Sequence, residues 1–387
     1  MDSARAWVVL SAAFLSMFTV FGVAYSFGEF FGPMAKEFGT DRAQTALFFA
    51  ITTFAYFTLG IFSGRIADRI GPRPVLLFGA AAMTTGLYAT SHVSSLELGY
   101  LTYGLGVGLG VACGYVPMVA AVGGWFEARR TLALGLAVSG IGFGTLVMVP
   151  ITERLIDAKG WRWTYRTLSI TTGALLLVAA IGAFRPPSSA ETPRPIRDAL
   201  RGRTDFAYLW ISSFFISISL FTPFVFMADY MDSKSIDGSA GLLLGVIGMA
   251  SIAGRLGFGA TAGRLGIVAL YRLSFVVLGA SFIIWLMAGT SYTMLVIYAL
   301  VIGVSYGGFI ALSPAVVAEL FGTVGLGGIL GAIYTAAGVG GLVGPPLMGW
   351  IIDQHGHSAA HWTALASGAI ASLLLIGVRT PPPTSPA

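Results

Sequence analysis

Charge is what this chain has least of. Asp, Glu, Lys and Arg make up 10% of its 387 residues, against 56% hydrophobic residues and a mean hydropathy of +0.83. That balance excludes an ordinary water-exposed domain and is typical of a polytopic membrane protein. There is one cysteine, Cys113, inside an apolar run, so neither a disulfide framework nor a thiolate metal site is available. Histidine is nearly as rare: His92, His355, His357 and His361 fall at or beyond the ends of apolar runs. No H-E-x-x-H motif and no paired carboxylates lie within a run, so the catalytic clusters of a membrane enzyme are missing, and no metal or cofactor is expected. The glycine runs GLGVGLG (104–110) and GIGFG (140–144) miss the G-x-G-x-x-G spacing of a dinucleotide loop and read as close helix packing in mid-run.

What the chain has in quantity is apolar length. Runs of about 20 residues, enough for a helix to cross a hydrocarbon core of about 30 Å, recur along the whole sequence. A cleavable signal peptide does not account for them. Hydropathy against charged and turn-rich breaks predicts helices over 7–31, 43–66, 75–91, 96–122, 131–156 and 164–184. A second set follows over 206–231, 240–262, 267–288, 292–318, 326–352 and 362–378. This divides the chain into an N-terminal six-helix bundle (1–185), a proline- and arginine-rich linker (186–204), a C-terminal six-helix bundle (205–379) and a disordered tail (380–387).

Twelve spans place both termini on one side. That side collects 14 of the 22 Lys and Arg residues, including Arg65, Arg69, Arg73, Arg129, Arg130 and the linker arginines, whereas the other side has seven. The positive-inside rule makes the termini cytoplasmic, in a multi-pass protein of the inner (plasma) membrane. The formal charge of +5 then reflects topology in a lipid bilayer, and nucleic acid is not an expected partner.

The chain also repeats. GRIADRIG (64–71) is echoed by GATAGRLG (259–266) at an offset of 195, and Pro150 and Pro345 share that offset. Two related halves of this kind place a substrate site between them near the midplane and expose it alternately to each side. The stretch GRIADRIGPR resembles the signature loop of the major facilitator superfamily, with Gly64, Asp68, Arg69, Gly71 and Arg73 at its pattern positions. The resemblance implies the all-α major facilitator fold of two pseudo-symmetric six-helix bundles. It also implies that Asp68 faces a helix N-terminus of the other half, as part of a conformational latch on the cytoplasmic side.

WFEARRTLALGLAVSG (125–140) is similar to the run entering the fifth helix of monocarboxylate porters and oxalate/formate exchangers, and YGGFIALSPAVVAELFG (306–322) to their tenth helix. The first-helix signature of the animal porters is absent, which points to a bacterial relative. Arg255, in SIAGR, is the one charge deep within a span. An intramembrane arginine is a functional candidate by default: its planar fork matches a carboxylate, although ties to backbone carbonyls are the structural alternative. In the resembling families an arginine at this position anchors the substrate carboxylate. Their nearby aspartate is Ser251 here, their first-helix lysine is Glu29, and residues 326–352 have no Lys or Arg where oxalate exchangers carry a lysine. One deep positive charge suits one carboxylate.

Tyr25, Tyr115, Tyr306 and Tyr334 lie at comparable depths and are candidate cavity residues, while Glu29 is the candidate proton carrier. The expected function is secondary transport of a small organic monocarboxylate, lactate- or pyruvate-like, with a proton as co-substrate. Oxalate/formate-type exchange, drug efflux and a membrane sensor with a degenerate transport fold are the alternatives. The sensor has no output domain in this sequence and a linker of only about 20 residues to work with.

Overall fold

The computed structural model describes residues 3–126, 129–187, 203–322 and 326–378. Most of the predicted linker, residues 127–128 and 323–325, and the tail lie outside the described residues. The first span consists of α1 (Ala4–Tyr25) and α2 (Phe27–Phe38), and it is followed by α3 (Arg42–Ile70) and α4 (Pro72–Thr90). The fourth span contains the short α5 (Leu96–Gly99), a π-helical segment (Tyr100–Leu105) and α6 (Gly106–Trp125). The first half closes with α7 (Arg130–Lys159) and α8 (Trp161–Gly182). The second half runs α9 (Thr204–Ser233), α10 (Ala240–Leu265), α11 (Ile267–Ala288), α12 (Tyr292–Phe321), α13 (Leu326–His355) and α14 (His357–Ile376).

Among the described residues, eleven segments are long and apolar enough to cross a membrane. The twelfth span is α4, shorter at 19 residues and lodged between α6 and α8. Side chains such as Ile170 (71% exposed) and Leu373 (66%) point away from the protein. Water would penalise that much apolar surface, whereas lipid tails do not.

The turns follow from local chemistry. Asp41 and Ser239 cap α3 and α10 by accepting the backbone N–H of Gln44 (2.7 Å) and Leu242 (2.9 Å). Gly71 (φ 92°) and Gly266 (φ 84°), the last glycines of the two repeated motifs, make the same left-handed turn between consecutive spans in each half. A side chain would strain both positions, which explains why the glycine persists in a motif whose acid does not. Pro150 and Pro345 likewise sit inside corresponding helices, α7 and α13.

The glycine runs pack helices as expected. A Cβ on Gly106 or Gly110 would strike α4 at Gly86 or Met83, and one on Gly104 or Gly108 would strike α3 at Ile51 or Ala55. The four-residue spacing thus gives this span two smooth faces. In the other run Gly140 and Gly144 press on α1, while Gly142 meets Gly248 of α10 in the opposite half.

Three boundaries differ from expectation. The first span extends to Phe38 through a break at Ser26, whose side chain hydrogen-bonds back to the Gly22 carbonyl at 2.7 Å. A π-helical turn interrupts the fourth span. The last helix starts at His357 rather than at residue 362, and its two histidines are taken into the packing. His361, expected at or beyond the end of a span, is buried (3% exposed) with its ring 4.3 Å from that of Trp285.

Candidate functional site

Each half packs within itself, and the halves meet chiefly through α3 on α13, α7 on α10 and α2 on α9. Between them lies a narrow cavity of about 40 Å³. Nine of its fourteen lining residues are aromatic and none is charged. Tyr25, Tyr115, Tyr306 and Tyr334 all line it, two from each half. The hydroxyls of Tyr25 and Tyr306 lie 3.1 Å apart, a hydrogen bond that joins α1 to α12 across the cavity.

Phe21 sits among three of the tyrosines, with ring centroids 5.5 Å from Tyr25, 5.8 Å from Tyr56 and 5.3 Å from Tyr115. Tyr56, Phe57, Phe221 and Phe309 complete the aromatic wall. None of these five was singled out in the sequence, because an aromatic in a transmembrane helix is unremarkable until its facing helix is known.

Arg255 is the sixteenth residue of α10, about 22 Å along it at 1.5 Å per residue. It is 5% exposed, and its guanidinium carbon is 5.7 Å from the centroid of the Tyr306 ring. Nη1 donates to the Val138 carbonyl of α7 at 3.0 Å. Nε and Nη2 are buried without a hydrogen-bond partner. One nitrogen thus ties the halves together, as the structural alternative expects, and the other two are left without a partner. The N–H bonds of Nε and Nη2 along this edge of the guanidinium run parallel, which is the geometry for two-point hydrogen bonding to a carboxylate. Ser251, one turn earlier, donates its hydroxyl to the Gly248 carbonyl at 2.7 Å and brings no negative charge to the guanidinium.

Glu29 lies in the first turn of α2, 8% exposed, with Oε1 buried and unpartnered. No cation is within ion-pair distance of it among the described residues. Its electrostatic neighbours Glu153, Asp157 and Asp232 are all acids.

The ion pairs that bridge the halves gather at the end of the bundle remote from the chain termini. There Arg42 of α3 holds two acids of the second half, Asp229 of α9 (Nε to Oδ2, 2.8 Å) and Asp353 of α13 (Nη1 to Oδ1, 2.9 Å). The Arg42 backbone N–H also donates to Asp353 at 3.0 Å, and the Nε2 atom of His357 lies 3.3 Å from Asp229. Beside this cluster Glu153 of α7 accepts from the Ser239 hydroxyl and, at 3.4 Å, from the Gly241 N–H at the start of α10. Sequence reading places these residues at helix ends but cannot pair them, since the partners are 86 to 311 positions apart.

At the opposite end Asp68, Arg69 and Arg73 are exposed. The Asp68 carbonyl accepts from Nη2 of Arg185, in the same half, at 3.0 Å. Among the described residues no ion pair joins Asp68 to the second half. Gly64 packs on α6, where an added Cβ would lie 3.1 Å from Val116. The arginines at this end satisfy last-turn carbonyls: Arg203 donates to Leu320, and Arg272 donates to Leu375 at 3.0 Å.

Arg42→Ala is expected to loosen the remote end. Two part-exposed ion pairs are worth about 0.2 to 1 kcal/mol each, so closure should weaken roughly two- to thirtyfold. A cysteine at Ala337, on the cavity wall, with Cys113 replaced by Ser, should label faster by an impermeant thiol reagent from that side. Unchanged labelling would show that packing alone keeps that end shut.

A bundle of twelve apolar spans in two repeated halves, with a cavity between them, is the architecture of a membrane transporter, and the sequence comparisons place it. The family model of the Major Facilitator Superfamily matches residues 9–302 and 209–387, and the chain belongs to that superfamily. Within it the chain is of the monocarboxylate porter type. It is 30% identical to monocarboxylate transporter 3 of Rattus norvegicus, over 91% of this chain and 75% of that protein. It is 25% identical to monocarboxylate transporter 12 of Mus musculus, over 97% and 85%. An agnestins efflux protein of Paecilomyces divaricatus is 29% identical over 91% and 82%. Among solved structures, an inward-facing, unoccupied bacterial homologue of the human lysosomal transporter Spinster superposes with a TM-score of 0.72 at 14% identity, over 99% of this chain and all of that one. That likeness concerns the fold.

Proposed function

We propose that this protein moves a small organic monocarboxylate, together with a proton, by alternating access between its two halves. The observation that carries the proposal is the free Nε/Nη2 edge of Arg255, a permanently charged fork buried beside the central cavity. A carboxylate on that edge offsets the desolvation of the guanidinium; Arg255 stands behind Tyr306 of the cavity wall, and the wall itself carries no cation that could serve a dicarboxylate. This favours monocarboxylate transport over oxalate-type exchange. Efflux of such an acid is the same chemistry run in the other direction and is in keeping with the fungal relative.

In this conformation the halves are clasped at the Arg42 end, and the Gly64–Arg73 turn is free of the second half. With the termini in the cytoplasm this is the inward-facing state. Asp68, Arg69 and Arg73 would then act when the cytoplasmic side closes. In sealed cells, single cysteines at Arg129 or Arg73 should resist impermeant thiol reagents and one at Lys234 should react; the reverse pattern would overturn the orientation. The transport assay is uptake of labelled short monocarboxylates into liposomes containing the purified protein, driven by an acid-outside pH gradient. Failure of every monocarboxylate tested to accumulate would overturn the proposed function.

A further inference from the structure

Resting on the carboxylate role of Arg255, we infer that the hydrogen bond between Tyr25 and Tyr306 is a cover over the Arg255 fork, opened when an acid replaces Tyr25 as the partner of the Tyr306 hydroxyl. Tyr306 belongs to the cavity wall and Arg255 does not; the guanidinium carbon lies 5.7 Å from the centroid of the Tyr306 ring. Nε and Nη2 are fully buried. An acid in the cavity therefore meets Tyr306 before it meets the fork. Parting the helices at that point would undo close backbone packing, because a Cβ on Gly307 of α12 would strike the Ser251 carbonyl of α10 and one on Gly254 the Val304 carbonyl. The side chain of Tyr306 is the part free to turn, and its hydroxyl is held at 3.1 Å by Tyr25 of the other half.

The break in the first span sets Tyr25 in place. It is the last residue of α1, and the next residue, Ser26, donates to the Gly22 carbonyl at 2.7 Å and accepts from the Thr152 hydroxyl of α7 at 3.3 Å. The Tyr25 ring stacks on that of Phe224 of α9, centroids 4.3 Å apart, and Phe224 makes a T-shaped contact with Tyr306 at 6.2 Å. A first-half side chain thus rests on two second-half rings, so rocking of the halves bears directly on the bond. Opening it in the empty protein leaves two phenol hydroxyls unpaired in a buried aromatic wall, whereas a carboxylate accepts from the Tyr306 hydroxyl in a charge-assisted bond stronger than the neutral one it replaces. The cover opens at least cost when an acid is present.

The test uses the purified full-length protein in detergent, with butanedione as a small guanidinium reagent and acetate as the protecting acid. Modification of Arg255 is read by peptide mass spectrometry against that of the exposed Arg69. Tyr25→Phe and Tyr306→Phe each keep the ring and remove one partner, so each should speed Arg255 modification about 2- to 10-fold, the equilibrium equivalent of one neutral hydrogen bond. The double variant should be no faster than the quicker single one, since both remove the same bond. Acetate should protect Arg255 at a several-fold lower concentration in Tyr25→Phe than in the wild type, where the bond must first open, and Tyr306→Phe should forfeit that gain with its donor. Wild-type modification rates in both single variants would overturn the inference, and so would additive rates in the double variant, the mark of loosened packing. If either single variant fails to fold, the other carries the same measurement. Faster modification in the variants with no protection by acetate in any of the proteins would overturn the carboxylate reading of Arg255, and with it the part of an acid in opening the cover.

Discussion

Replacing Arg255 with Ala should lower monocarboxylate transport by roughly 30-fold to a few thousand-fold, the range for removing one partner of a buried charge pair worth about 2 to 5 kcal/mol. The carboxylate would enter a wall of aromatic rings and paired hydroxyls with no cation to receive it. Arg255→Lys should recover only a minor part of the loss. An ammonium keeps the charge but cannot present two parallel N–H bonds while a third donor holds the Val138 carbonyl. The fold should survive both changes, because removing a guanidinium with two unpartnered nitrogens leaves no buried charge stranded. Transport rates in liposomes, with size-exclusion profiles as the folding control, decide the matter. Full activity in the Lys variant would mean that positive potential alone is required and that the two-point fork is wrong.

Glu29→Gln is expected to abolish uptake driven by a pH gradient while leaving exchange of labelled for unlabelled substrate largely intact. An anion entering a cell that is negative inside works against about 2.3 kcal/mol per charge per 100 mV, and a co-transported proton removes that term. The carrier must be a group that can gain and lose a proton as the halves rock. Glu29 is buried in a transmembrane segment, has an unpartnered oxygen and has no cation to hold it ionised. It also lies where α2 packs on α9 across the halves, with Gly28 drawn against the Phe224 carbonyl, so rocking changes its access to water. Protonation of a carboxyl depends strongly on that access. Exchange carries no net proton and should not need the group. Gradient-driven uptake that persists in the Gln variant would remove Glu29 from the coupling mechanism, and electrogenic uptake by the unmodified protein would remove proton symport itself.

The class of protein was legible early because membrane solvation writes itself into composition. Long apolar runs, arginines collected on one side and a motif repeated at an offset of 195 required no coordinates. Arg255 was legible for the same reason, since one charge among so many apolar residues stands out. The four tyrosines were only marked by depth, and the Tyr25–Tyr306 hydrogen bond across the cavity depends on which helix faces are turned inward. Helix periodicity is weak here as a guide to facing, because lipid-exposed and buried faces are both apolar. Thus Phe21 and Phe57 on the cavity wall were indistinguishable by sequence from Ile170 on the lipid side.

Sequence alone determined the solvent, the spans, the repeat and the lone deep charge, because each is a property of local composition that the bilayer selects residue by residue. Tertiary structure decided the rest. It turned Nη1 of Arg255 to the Val138 carbonyl and left the other edge free, it bound Arg42 to Asp229 and Asp353, and it tied the Asp68 carbonyl to Arg185 within the first half. These are contacts between groups far apart in the chain, whose free energy depends on the distance and orientation of two partners, and neither quantity exists until the two bundles have docked.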